Sequence, residues 1–384
     1  MFNNDLKSAF SGYTPLTPSQ SMGRNEVCWC RSGRKWKKCH ALRESQAPLP
    51  TPVLRSKFHG EAKLTGKCFH PDAPTGCSGD AIRAHTIQKR SGLQEISEKG
   101  HVLSGRNADP RREREDLELI GVNSASTFRG FCSFHDTVTF REAEISKAPT
   151  KVGAFLLSYR ALCFEIYMKQ VAIPTLEFIK DNIDAGRPFE EQAEMQQLLY
   201  GSLFSIQVGF EEHSKLKVTW DAAFRAKDYT NFQWAFARFE TSLPIVTSGV
   251  FFPERDFTGR SLQPITAPVG SLALLGFNVI PIAGQTSIIF GWLDCKHQNT
   301  KFVESFYKIS NEFLASAVVQ FCFDTSDNIF VKPSWWKNLP KIPKKYLLWN
   351  LRNSTPGDKQ PDGLIPRSPP LISAQVLERA MELL

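Results

Sequence analysis

The stretch Gly23-Arg24-Asn25-Glu26-Val27-Cys28-Trp29-Cys30-Arg31-Ser32-Gly33-Arg34-Lys35-Trp36-Lys37-Lys38-Cys39-His40 places three thiols and an imidazole within thirteen positions. The order is Cys-x-Cys, eight residues, then Cys-His. Soft and borderline donors at this density form a closed tetrahedral zinc site, with Cys28, Cys30, Cys39 and His40 as ligands. The segment is too short for a hydrophobic core, so metal ligation has to supply its folding energy. Arg24, Arg31, Arg34, Lys35, Lys37 and Lys38 offset the charge of three thiolates and lower their pKa values. Four protein ligands leave no position for water, which fits an adaptor rather than a catalyst.

These residues resemble the SEC-C motif, a short zinc-binding tail of the bacterial preprotein-translocase motor and of many unrelated bacterial proteins. The pattern Gly-Arg-Asn-Asp/Glu-x-Cys-x-Cys, then Gly-Ser-Gly-Lys-Lys-Tyr-Lys-Lys-Cys-Cys/His, is kept at all four ligands. Arg31 stands where Gly is usual, Trp36 replaces the Tyr and Trp29 a common Pro. The resemblance implies docking onto a protein partner or the ribosome. The basic residues with Trp29 and Trp36 also suit nucleic acid.

Charge follows the same division. Residues 1–150 hold 23 Lys and Arg against 16 Asp and Glu, while the remainder holds 24 against 23, so nearly all of the net +8 belongs to the N-terminal region. A basic lobe on a near-neutral body points to phosphate or an acidic protein partner. Apolar content of 41% in 384 residues supports two or three domains with real cores. Cys163, Cys295 and Cys322 lie singly in apolar stretches and read as buried small hydrophobes. The polar start lacks the apolar run of a secretory leader, and no apolar run is long enough to span a bilayer. A reducing cytoplasm, where clustered thiols bind metal, is the expected location.

A second cluster of chemistry lies in residues 67–144. Cys132-x-x-His135 is a metal half-site, and Cys68 with Cys77 supplies the other half, a second structural zinc. His70 and His101 read as packing or surface residues. The order Cys…Cys, Ala84-His85-Thr86-Ile87, Cys-x-x-His resembles an HNH-type treble clef. That resemblance implies a ββα hairpin braced by zinc, with His85 as catalytic base and a divalent ion held nearby if the protein is a nuclease. The chain departs from the pattern at Asp136, where Asn or His is typical, and at Phe140, near the place of the last metal-binding His. A degenerate finger that binds without cutting fits these departures better.

The fold class expected is α+β, with N-terminal zinc-binding modules followed by a helical segment and a mixed α/β C-terminal body. The boundaries are a flexible N-terminus (1–22), the knuckle (23–40), a linker (41–57), a second Cys/His domain (58–148), the body (149–352), a Pro-rich segment (353–372) and a C-terminal helix (373–384). Helical spacing runs over Lys151–Asp184, broken at Pro174, and over Phe189–Ala226. Residues 230–240 alternate as a strand. Leu272–Pro281 and Thr286–Asp294 form a hairpin around Ala283-Gly284-Gln285, and Phe302–Val319 returns to helix. Arg160, Glu165 and Lys169 are expected on a wet helix face. Gly105–Glu115 reads as an exposed loop.

Three functions are carried forward. The first is a zinc protein whose basic modules bind nucleic acid, the ribosome or a protein partner. The second is an HNH-like nuclease of defence or toxin type. The third is a protein-interaction adaptor without nucleic-acid affinity.

Overall fold

The computed structural model describes residues 12–105, 116–265, 270–293, 296–352, 363–365 and 370–383. Cys295, most of the Gly105–Glu115 loop and most of the Pro-rich segment lie outside the described residues. The fold is mixed α+β. Its helices are α1 (Thr51–Leu64), α2 (Ser133–Ile145), α3 (Lys151–Lys180), α4 (Phe189–Ala226), α5 (His297–Tyr307), α6 (Asn311–Thr325), α7 (Pro333–Asn338) and α8 (Lys341–Arg352). Its strands are β1 (Ala81–His85), β2 (His101–Ser104), β3 (Glu118–Gly121), β4 (Thr127–Cys132), β5 (Gln233–Phe239), β6 (Ile245–Phe251), β7 (Leu275–Ile282), β8 (Gln285–Trp292), β9 (Ile329–Val331) and β10 (Val376–Glu382). β1 and β4 form an antiparallel pair, and the other eight form one antiparallel sheet in the order β10-β5-β8-β7-β6-β9-β2-β3.

The chain divides into two compact units. The first comprises residues 1–65, 166–215 and 266–271, and the second comprises 66–165, 216–265 and 272–384. These units cut across the boundaries expected from sequence. β2 and β3 pair, through β9, into the same sheet as β5–β8, so residues 58–148 do not form a separate domain.

The second unit is organised by its sheet. Ala283 and Gly284 both take left-handed backbone, with φ of +53° and +79°, which is what a two-residue hairpin loop with the sheet's own twist requires. They join β7 to β8. Gly276 and Gly291 face each other across that hairpin. A Cβ on Gly276 would lie 2.5 Å from the Ser158 side chain, so the glycine pair makes room for α3. Phe302 and Phe306 of α5 and Phe321 of α6 interleave with Phe251, Phe257, Phe277 and Phe290, with ring centroids 4.9–5.9 Å apart. Each such aromatic contributes large apolar burial and a further edge-to-face term of about 0.5–1.5 kcal/mol per pair.

Three sequence expectations are corrected here. The linker ends at Pro50, because Pro52 fits the first turn of α1, where its missing N–H costs nothing. Pro174 does not break α3. Val171, Thr175 and Ile179 around it are buried, and the Thr175 hydroxyl donates to the Val171 carbonyl at 2.7 Å. The C-terminal segment is a strand, not a helix: β10 pairs with the edge of β5, and Trp234 Nε1 donates to Glu382 at 2.9 Å.

Candidate metal centres

In the first unit, Cys28 N donates to Arg34 O at 2.9 Å, and Val27 bridges Lys35, folding residues 27–35 into a knuckle. Arg31 and Gly33 take positive φ (+57° and +73°) at its tip. That explains why glycine is usual at position 31. Arg31 bears the left-handed cost, about 1–2 kcal/mol, and its guanidinium donates to Tyr200 Oη at 2.6 Å. A short 3₁₀ turn over Trp36–Lys38 then carries Cys39 and His40 back to the knuckle.

Cys28 Sγ and Cys39 Sγ each lie 3.2 Å from His40 Nδ1, and Cys30 Sγ lies 3.5 Å from Cys39 Sγ. All four donor atoms fall within 4.8 Å of one another, and all four residues are buried. Zinc bonded to sulfur at about 2.3 Å and to nitrogen at about 2.0 Å sets ligand atoms about 3.6–3.8 Å apart, so the cluster can hold such an ion. Ser32 Oγ lies 3.3 Å from Cys30 Sγ and 3.4 Å from Cys39 Sγ, a hydrogen-bonding group for thiolate charge.

The surroundings complete the centre. His40 Nε2 lies 2.8 Å from Asp184 Oδ2, and that carboxylate is fully buried. Arg43 Nε donates to Asp184 Oδ1 at 2.6 Å, and Gln196 Nε2 donates to Oδ2 at 2.8 Å. Burial opposes Asp184's charge, but His40 and Arg43 outweigh it and hold the carboxyl below its ordinary range. Burial likewise opposes a charge on His40, and Asp184 with the neighbouring thiols overcomes it, raising the imidazole to about 11. A carboxylate on Nε2 fixes the tautomer that leaves Nδ1 for a metal. Asp184 is 144 residues from His40, and nothing in local spacing points to it.

Trp29 is buried, 4.6 Å from the His40 ring and 6.0 Å from Phe189. Its expected role as an outward stacking platform is therefore corrected: it packs the centre. Arg34 pairs with Asp181 at 2.5 Å. Arg24, Lys35, Lys37 and Lys38 stay exposed.

In the second unit, the strand pair β1–β4 runs into α2, and Cys132 caps that helix, accepting from His135 N. Burial opposes the Cys132 thiolate, but the amides of His135 and Ser78 prevail and hold the thiol at about 6. Gly76, with φ +74°, turns the preceding loop. Cys68, Cys77 and Cys132 Sγ lie 3.4, 3.5 and 3.4 Å from His135 Nδ1, a second four-donor group that can hold a metal. Cys68 and Cys77 are half-exposed. His70 is no member of this group: its ring stacks flat on His135, centroids 3.8 Å apart. His101 is exposed, its Nδ1 2.9 Å from Lys99 O. Tyr159 Oη sits between Asp221 Oδ1 (2.6 Å) and Phe69 O (3.0 Å), tying the cluster loop to α3 and α4.

His85 ends β1 with Nε2 3.2 Å from Val122 O, and burial holds its pKa below the ordinary value. It belongs to neither four-donor group. Arg160 corrects the wet-face expectation. It is 1% exposed, donates to Glu144 at 2.8 Å, lies 3.6 Å from Asp136, and stands 3.7 Å over the Phe140 ring. A guanidinium therefore occupies the helix face on which the HNH resemblance implied metal ligands. Among the described residues no third group able to hold an ion is present. Cys163 and Cys322 are fully buried, as expected, and burial pushes Cys163 up to about 12.

Residues 24–42 match the family model of the SEC-C motif. The knuckle is a SEC-C motif. A methionine aminopeptidase of Chlamydia pneumoniae is 36% identical over 61 residues, covering 12% of this chain and 21% of that protein. The chain thus spans about a fifth of that relative's length. No solved structure matches the chain, and the family-model match ends before the second cluster. No helix among the described residues is long and apolar enough to cross a membrane.

Proposed function

We propose that the chain is a zinc-dependent binding protein whose SEC-C knuckle offers a basic surface to a nucleic acid, ribosomal RNA included. Zinc is the ion that best suits two Cys₃His donor sets with tetrahedral spacing. The observation that carries the reading is the sorting of cations around the knuckle. Arg31 and Arg34 are engaged at the surface by Tyr200 and Asp181, and Arg43 is buried against Asp184. Arg24, Lys35, Lys37 and Lys38 are exposed, and none has an ion-pair partner among the described residues. Lys37 N donates to Arg24 O at 3.2 Å, which keeps Arg24 beside the lysines. Cations left unpaired on a metal-built scaffold suit phosphates.

Retention on RNA or DNA should weaken steeply with salt. Four phosphate contacts correspond to a slope of about −3 to −4 in log K against log salt. Changing Lys35, Lys37 and Lys38 to Gln should reduce the slope by about 2–3. A partner captured by the knuckle that survives nuclease treatment, with no salt-sensitive retention on nucleic acid, would favour protein docking instead.

One observation supports a second reading, HNH-like cleavage. The His85 ring is held by a carbonyl and burial lowers its pKa, which favours the unprotonated form that a general base needs. Against it, metal-assisted phosphodiester hydrolysis needs an ion with open positions, and the Arg160 guanidinium stands 3.6 Å from Asp136, a cation beside the carboxylate that a metal would need. Cleavage under Mg²⁺, Mn²⁺ or Ni²⁺ that disappears in His85→Ala would establish it; intact substrate under all three would end it.

A further inference from the structure

The two Cys₃His clusters share donors but not surroundings. All four residues of the first are buried, and its histidine leans on a carboxylate that Arg43 and Gln196 hold in turn. In the second, Cys68 and Cys77 are half-exposed. His135 Nε2 has no hydrogen-bond partner among the described residues. The group against that ring is the flat face of His70, which accepts no proton from it.

We propose that Cys68, Cys77, Cys132 and His135 form an exchangeable zinc site, that Cys28, Cys30, Cys39 and His40 form a fixed one, and that Asp184 is the positioning residue that makes the difference. This rests on the reading that both clusters hold zinc. Zinc leaves a closed site when an incoming ligand reaches the ion and displaces protein donors one at a time. Half-exposed thiolates give that ligand an approach, and buried ones deny it. An outer carboxylate makes its histidine a stronger donor and pins the ring, and loss of such a partner typically costs 10–100-fold in metal affinity. The second cluster has neither protection.

The test uses the full chain loaded with zinc and mixed with excess 4-(2-pyridylazo)resorcinol, with zinc transfer followed by absorbance. Two phases of one ion each are expected, differing in rate by about tenfold or more. Cys77→Ser should remove the fast phase and leave the slow one. Asp184→Asn should accelerate the slow phase about 10–100-fold and leave the fast one unchanged. Gln196→Leu, which retains the His40–Asp184 contact, should accelerate it less and serves if Asp184→Asn does not fold. A total below two ions overturns the two-zinc reading and this inference together. Two ions released in a single phase, or a slow phase lost in Cys77→Ser, overturns this inference alone.

Discussion

Arg160 lies in one of the most apolar helices of the chain, and its side chain ends among Asp136, Glu144 and the Phe140 ring. Helical spacing alone puts such a residue in water; acidic partners 16 and 24 positions upstream take it inside. Its partners Asp136 and Glu144 are partly exposed, so the cost of Arg160→Ala lies mainly in the emptied, packed site over Phe140, about 1–3 kcal/mol. Urea unfolding would measure this, and a loss under about 0.5 kcal/mol would mean a merely solvated arginine. His85 gives a pH prediction. Burial lowers its folded pKa below the unfolded value of 6.5. The unfolded chain therefore binds the proton first as pH falls, and stability should decline from about pH 6.5 downward while remaining whole above it. Ring-proton NMR should place the His85 midpoint below 6.5, and His85→Gln should flatten part of that decline. A midpoint above 6.5 would contradict the assignment.

Elements were legible wherever a local pattern and its punctuation agreed. The β7–β8 hairpin could be read because two apolar runs flank Ala283-Gly284, and α4 because its apolar spacing persists over Phe189–Ala226. Misreadings arose where a distant partner decided. In α3 the surrounding burial outweighs the roughly 3 kcal/mol that an interior proline costs. In β10 an unfilled strand edge converts a segment of good helix formers into strand, and Arg379 fixes it by donating to Tyr307 O and Ile309 O at 3.1 and 2.9 Å. The hairpin loop supplies the prediction at this scale. Ala283 holds φ +53°, where Asn is better tolerated, so Ala283→Asn should stabilise by about 0.5–1 kcal/mol. A lowered urea midpoint would show that the turn is not of this type.

At the scale of the whole molecule, thiols and imidazoles at knuckle spacing have few other uses, and the structure brings the eight expected donors together as two groups of four able to hold a metal. Asp184 was not legible, and neither was the division into two discontinuous units, since both depend on residues far apart in the chain. Each unit contains one cluster: the second draws its donors from positions 68 to 135, and the first, local in its donors, is tied to the distant Asp184. Metal should accordingly be part of the folding free energy: apparent values for structural zinc in short peptides are about 10–16 kcal/mol. Strong chelator should lower the thermal midpoint and expose thiols of both clusters to alkylation. The most direct measurement is metal content of the gently isolated chain by mass spectrometry. Two zinc ions per chain are expected, one lost in Cys28→Ser and the other in Cys132→Ser; a chain that is metal-free and keeps its fold and its thiol protection in chelator would show that neither cluster holds a structural metal.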